Sequence, residues 1–160
     1  MDQKCQFSSF FLNDILFGIP VQNVQEIVGA VTMTPVPLAP RTIKGLINLR
    51  GQIVTAIDLR TCLRLSGGRD RDACVGVIMH VADGYASLLV DRVGEIVEVD
   101  EEAFEPPPET LRGVARELIR GAYKLNGRLL LVLDPVRVVD ALDGGSGEHD
   151  RGSVAATARR

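Results

Sequence analysis

Residues 43–59 read IKGLINLRGQIVTAIDL, and residues 119–135 read IRGAYKLNGRLLLVLDP. The two stretches align without a gap at an offset of 76 (119 − 43), with Ile43/Ile119, Gly45/Gly121, Leu49/Leu125, Gly51/Gly127 and Asp58/Asp134 identical. In each copy an apolar run reaches a glycine-bearing pair, Arg50-Gly51 or Asn126-Gly127, and a second run returns to an aspartate. Glycine supplies backbone angles that a side chain resists, and Asn-Gly is the strongest short hairpin signal, so the clear second turn supports the first. Asp58 precedes LRTCL, and Asp134-Pro135 precedes VRVVDAL. Aspartate at an N-cap, with proline at the first helical position, starts a helix. Short helices are expected at about 59–64 and 135–142, with Val136, Val139 and Leu142 on one face.

A second echo lies upstream of each block. Val24-Gln-Glu-Ile-Val28 matches Val93-Gly-Glu-Ile-Val97, and Val21 matches Val90, at an offset of 69 (93 − 24). The step from 69 to 76 implies about seven extra residues in the second copy, in the region of Pro106-Pro107-Pro108. Near the N-terminus, FSSFFL (7–12) and ILFGI (15–19) flank Asn13-Asp14, a further hairpin. Pro20 cannot donate to a sheet ladder, so Val21–Val28 either leaves the sheet or bends before continuing as an edge strand. Pro35, Pro37 and Pro40 make 30–41 an extended, exposed loop. Strands are expected near 75–81 and 86–90, joined at Asp83-Gly84, and over 93–99, after a polar linker at 66–71. From 143 to 160 the composition cannot bury apolar area, which predicts a disordered tail. About ten short strands with glycine turns point to an all-β fold with short helices, as two small closed barrels without exposed edges.

A chain of 160 residues that is 46% hydrophobic can bury a core of its own. Its formal charge of −3 and lack of tryptophan offer nucleic acid neither a basic face nor stacking platforms. No run approaches a membrane span and Met1–Cys5 lacks the order of a signal peptide, so a cytoplasmic protein without membrane insertion is expected. Cys5, Cys62 and Cys74 have neither disulfide nor zinc spacing and read as reduced thiols, Cys62 and Cys74 packed. His80 falls in a strand and His149 in the tail, so no nucleophile–histidine arrangement is nominated. The acidic run of Glu98, Asp100, Glu101, Glu102 and Glu105 lacks the spacing of a calcium loop and reads as a solvated face. No phosphate loop or dinucleotide fingerprint is present. A binding protein with no catalytic residues, cofactor or metal is expected.

FGIPVQNVQEIV (17–28), TPVPLAP (34–40), IKGLINLRGQIVTAIDLR (43–60) and ASLLVDRVGEIVEV (86–99) resemble the CheW family, the coupling proteins of bacterial chemotaxis. The likeness runs over 7–142 and includes the specific NLRG…DLR block. It implies two SH3-like five-stranded β-barrels sharing a hydrophobic core, interleaved roughly as 15–80 and 85–135 plus the chain ends. It also implies a non-catalytic adaptor, monomeric when free, that joins the cytoplasmic tips of methyl-accepting chemoreceptors to the regulatory domain of the histidine kinase CheA. Such a protein is recruited to membrane receptor arrays. With no receiver or kinase domain in the chain, a stand-alone coupler is expected. A coupler of a non-flagellar chemosensory pathway, controlling twitching, development or a second messenger, would carry the same signature. An SH3-like RNA-binding module is more remote, because Arg41, Lys44 and Arg50 make a thin basic cluster.

Carried over position by position, the resemblance assigns Val24, Glu26, Arg50, Val75, Val93 and Ile96 to the receptor contact. Arg50 at its turn can reach Glu26 if the barrel brings them together. The valines could equally be ordinary core. Lys44, Gly45 and Leu46 fall where the first barrel meets the kinase, and Glu109 and Thr110 near a ring-forming contact of the second barrel. Gly45 also reads as structural because Gly121 repeats it, and Thr110 replaces a frequent aromatic.

Overall fold

The computed structural model describes residues 3–29, 32–65, 75–82 and 84–144. Among them run ten strands: β1 (Lys4–Leu12), β2 (Ile15–Pro20), β3 (Val24–Val28), β4 (Ile43–Leu49), β5 (Gln52–Asp58), β6 (Val75–Val81), β7 (Gly84–Val90), β8 (Arg92–Asp100), β9 (Ile119–Leu125) and β10 (Arg128–Leu133). The helices are short: α1 (Leu59–Cys62), α2 (Gly113–Leu118) and α3 (Pro135–Gly144). The 66–71 linker, Cys74, Asp83, His149 and the tail from 145 onward lie outside the described residues.

The strands form two five-stranded sheets, ordered β3-β6-β7-β5-β4 and β8-β1-β2-β10-β9. They are the first and second SH3-like barrels of an all-β fold. Their registers show that the duplication spans every strand. Phe10 pairs with Phe17 as Met79 pairs with Ala86, each shifted by 69 (79 − 10, 86 − 17). Leu131 lies beside Phe17 in parallel β10–β2 as Thr55 lies beside Ala86 in parallel β5–β7. Each repeat is thus a run of five strands, β1–β5 or β6–β10, whose opening hairpin is built into the other repeat's barrel. The crossing in the first repeat occurs at Pro20. The 3-10 turn Val21–Asn23 carries the chain out of one sheet, and β3 enters the other as an edge strand. This exchange corrects the expected 15–80 and 85–135 division, since β2 belongs to the second barrel and β7 to the first.

Edges remain among the described residues, contrary to the expectation of full closure, because each hydrogen-bonded order ends in two strands paired on one side only. Two proline-flanked straps cover part of them. Thr34, before Pro35, exchanges hydrogen bonds of 2.8 Å with Leu46 on β4. Glu105, before Pro106, exchanges bonds of 2.9 Å with Ala122 on β9. The repeated glycines sit beneath these straps. A Cβ on Gly45 would lie 2.7 Å from the Thr34 carbonyl oxygen, and one on Gly121 would lie 2.4 Å from that of Glu105. The straps are offset by 71 (105 − 34), so two of the seven extra residues precede the strap. The other five follow it, in the segment that holds both the proline run and the unanticipated α2.

The repeated aspartates cap α1 and α3. Asp58 accepts from the Thr61 amide at 3.3 Å and hydroxyl at 2.9 Å, and Asp134 accepts from the Val136 and Arg137 amides at 3.0 and 3.3 Å. Helix α3 extends to Gly144, two residues beyond its expected end. One apolar cluster joins the barrels: Phe10, Phe17 and Ile19 meet Ile57, Met79 and Leu88, with Leu59, Cys62 and Val138 of the helices packed in. Smaller clusters fill each barrel, around Phe11, Tyr123 and Leu130 in the second and Ile47, Val54 and Ile78 in the first. A polar clamp reinforces the junction. Arg60 of α1 donates to Asn13 Oδ1 in the β1–β2 turn and to Asp91 Oδ1 between β7 and β8. The Asn13 amide donates to Asp91 Oδ2 at 2.7 Å.

Candidate functional site

The first barrel ends its strand order in β3 and β4, and no backbone ladder joins them. Side chains bridge the seam. From the β4–β5 turn, Arg50 donates through Nη1 to Glu26 Oε1 at 2.9 Å and through Nη2 to Glu26 Oε2 at 2.6 Å. This fork-on-fork geometry is the most directional ion pair that side chains make. The guanidinium is open to solvent, its side chain 70% exposed. Hydrogen bonding to Arg50 holds the Glu26 carboxyl below its ordinary range, and the same bond raises the Arg50 pKa.

The turn is strained. Arg50 has φ 52 and Gly51 φ 85, the two-residue geometry that suits strand twist but that side chains other than Asn, Asp or Gly resist. Asn48 Oδ1 accepts from the Gly51 amide at 2.8 Å and helps to hold it. At the second turn only Gly127 takes a positive φ, of 79, so the Asn-Gly pair adopts a different turn from the one it was expected to exemplify. The second barrel has Glu95 and Asn126 at the positions of Glu26 and Arg50, and hence no guanidinium at the equivalent turn position.

The other assigned residues divide among several places. Val24 pairs with Met79 and Val75 with Val90, and both valines pack half-buried against the shared core. Val93 and Ile96 lie on β8 of the second barrel, Ile96 being 61% exposed. They are on a different sheet from the Glu26–Arg50 pair. The exposed aliphatics outside the assigned set include Ile27 beside Glu26 and Ile53 on β5, itself 61% exposed. The 69-residue offset carried the signal for Ile27, which it sets on Ile96.

Lys44, Gly45 and Leu46 run along edge strand β4 under the first strap. Glu109 and Thr110 are exposed in the turn closed by the Leu111 amide donating to the Pro108 carbonyl at 3.0 Å. Beside that turn is an open depression of about 350 Å³ lined by Glu109, Leu111, Arg112, Gly113 and Arg116. The two groups belong to different barrels, so they are two surfaces and not one patch.

Reactive chemistry is sparse among the described residues. No three His, Cys, Asp or Glu side chains group as metal ligands would. Cys62 is buried, and desolvation pushes its thiol up to about 12, far from a nucleophile's range. His80 lies in tilted ring contact with Tyr85, centroids 5.2 Å apart. The arrangement of exposed charge and aliphatic side chains on edge strands suits protein–protein contact. No helix among the described residues is long and apolar enough to cross a membrane.

Comparison with known proteins agrees with this geometry. The model of the CheW-like domain matches residues 6–143. The chemotaxis protein CheW of Treponema pallidum is 33% identical over 137 residues, covering 83% of this chain and 81% of the relative. Protein FrzA of Myxococcus xanthus is 35% identical over 126 residues, 76% of each. The crystal structure of the scaffolding protein TtCheW from Thermoanaerobacter tengcongensis superposes with a TM-score of 0.77 at 27% identity, covering 85% of this chain and 92% of that one.

Proposed function

The chain belongs to the CheW family of chemotaxis scaffold proteins, and from that premise we propose that it couples chemoreceptor tips to the histidine kinase CheA. The observation that carries the proposal is the Glu26–Arg50 pair. The two charged residues assigned to the receptor contact meet in an exposed bidentate pair, and arginine stands at a positive-φ turn position that Asn, Asp or Gly would fill with less strain. Strain retained at an exposed site is a signature of function.

The receptor engages this seam, with Ile27 adjoining Glu26, and reaches the apolar residues Val24 and Val75 on the first barrel and Val93 and Ile96 on the second. The kinase regulatory domain binds at β4, through Lys44, Gly45 and Leu46. A further kinase contact at Glu109 and Thr110 permits ring formation through the second barrel. Recruited in this way, the protein resides in cytoplasmic assemblies at receptor-bearing membranes. Coupling without catalysis requires contacts that differ between signalling states, because a partner bound equally well in both states shifts neither. Co-sedimentation with receptor-bearing membranes tests the assignment: Arg50→Glu should stay in the supernatant while keeping a native spectrum. A folded Arg50→Glu protein that sediments like the parent would refute it.

A further inference from the structure

The mouth of the second barrel carries two guanidiniums on one aromatic ring. Arg92 lies 3.7 Å and Arg128 5.3 Å from the centre of the Phe11 ring, which bounds their separation at the sum of the two, 9.0 Å. Arg92 faces Phe11 across the β8–β1 register, and Arg128 opens β10 two residues before buried Leu130, on the same side of the strand. Among the described residues neither guanidinium is within 4.0 Å of a carboxylate, whereas those of Arg50, Arg60 and Arg137 are.

The first barrel shows what the fold itself needs at this place. The 69-residue offset sets His80 on Phe11, Tyr85 on Leu16 and Asn23 on Arg92, and the 76-residue offset sets Gln52 on Arg128. His80 and Tyr85, in tilted ring contact, occupy the equivalent positions without an arginine. Barrel architecture therefore does not demand the two cations, and like charges this close repel each other until a counter-charge lies between them.

We infer that Arg92 and Arg128 form a docking site for an acidic segment of a partner protein, one that offers two carboxylates to the two guanidiniums. Contact with the Phe11 ring restrains both guanidiniums before a partner arrives, so less side-chain freedom is lost when carboxylates bind. The net charge of −3 disfavours long polyanions and anionic bilayers, while a short acidic segment senses the arginines locally. The site is on the barrel opposite the Glu26–Arg50 seam and does not rest on the receptor assignment.

The test is an NMR titration of the full chain with a hexaglutamate peptide, read at the arginine Nε–Hε resonances of the parent and, for affinities across the variants, at the backbone amides of residues 92 and 128. Saturable shifts at Arg92 and Arg128 that fade with added salt are expected. Affinity should fall at least tenfold in R92Q/R128Q and stay unchanged in R41Q. R92K/R128K, which keeps the charge but not the planar fork, should bind severalfold more weakly than the parent. If the double glutamine variant loses its dispersed spectrum, each single variant should show a smaller loss of affinity. The inference is overturned if no saturable shift appears or if the folded glutamine variants bind as the parent does. It is equally overturned if a DNA oligonucleotide or phosphatidylglycerol vesicles shift these resonances more strongly than hexaglutamate.

Discussion

Replacing Gly121 by alanine tests the strap that covers β9. The added methyl would lie 2.3 Å from Phe104 Cζ, 2.7 Å from Phe104 Cε1 and 2.4 Å from the Glu105 carbonyl oxygen. The ring could swing away, but the carbonyl is backbone and can retreat only if the strap lifts. Lifting forfeits the two 2.9 Å bonds between Glu105 and Ala122 and loosens the Phe104–Tyr123 ring contact, whose centroids are 5.3 Å apart. Overpacking costs about 1–3 kcal/mol and each hydrogen bond about 0.5–1.5. Because relaxation trades one cost for the other, the expected loss is about 2–4 kcal/mol, or roughly 5–15 °C of Tm at this chain length. Gly51→Ala is the comparison, since its Cβ meets nothing within 4 Å and only φ 85 opposes it. That substitution should cost about 1 kcal/mol. Urea denaturation gives both values, and hydrogen exchange at the Ala122 and Glu105 amides should accelerate only in Gly121→Ala. If Gly121→Ala costs no more than Gly51→Ala, the strap does not hold the edge as described.

Other outcomes follow from the same geometry. Arg60→Ala removes the guanidinium from the Asp91 carboxylate, whose side chain is 18% exposed and which keeps the Asn13 amide, and should destabilise by about 2–4 kcal/mol in urea titrations; a loss within error would mean the clamp does not fasten the barrels. Because the pKa of Glu26 is lowered in the folded chain, its pairing supports the fold above the ordinary glutamate pKa and is lost as pH falls through the depressed value. Carboxyl NMR should therefore show the Glu26 midpoint rising in Arg50→Gln, and identical midpoints would refute the pair in solution. Cys62, with its thiol pushed up to about 12, should resist a thiol reagent near pH 8 until the chain unfolds, while half-exposed Cys5 reacts earlier; early modification of Cys62 in the folded chain would contradict its burial.

The parts of the fold legible in sequence were those where backbone chemistry limits the residue. Glycines under the straps and aspartates at helix caps permit few substitutes, so the 43–59 and 119–135 blocks still match. Core positions permit many. Phe10 and Met79, or Phe17 and Ala86, occupy equivalent places in the two barrels yet share only apolarity. The exchange of opening hairpins was invisible for that reason, and because strand pairing across barrels leaves no local periodicity. Pro20 marked the crossing but did not say which sheet came next. Helix α2 escaped notice because GVAREL is short and opens with a glycine at φ 64, with no capping side chain. Resemblance and turn position point to the Glu26–Arg50 pair, while nothing in the sequence marks Ile53 as exposed, because an isoleucine in a strand reads as core.

We propose that this chain couples receptor to kinase through the Arg50 turn. Kinase autophosphorylation, reconstituted from receptor-bearing membranes, CheA and this protein, tests it most directly. The parent chain should stimulate phosphorylation above receptor plus kinase alone, and folded Arg50→Glu should not. No stimulation by the parent, or full stimulation by Arg50→Glu, would contradict the account.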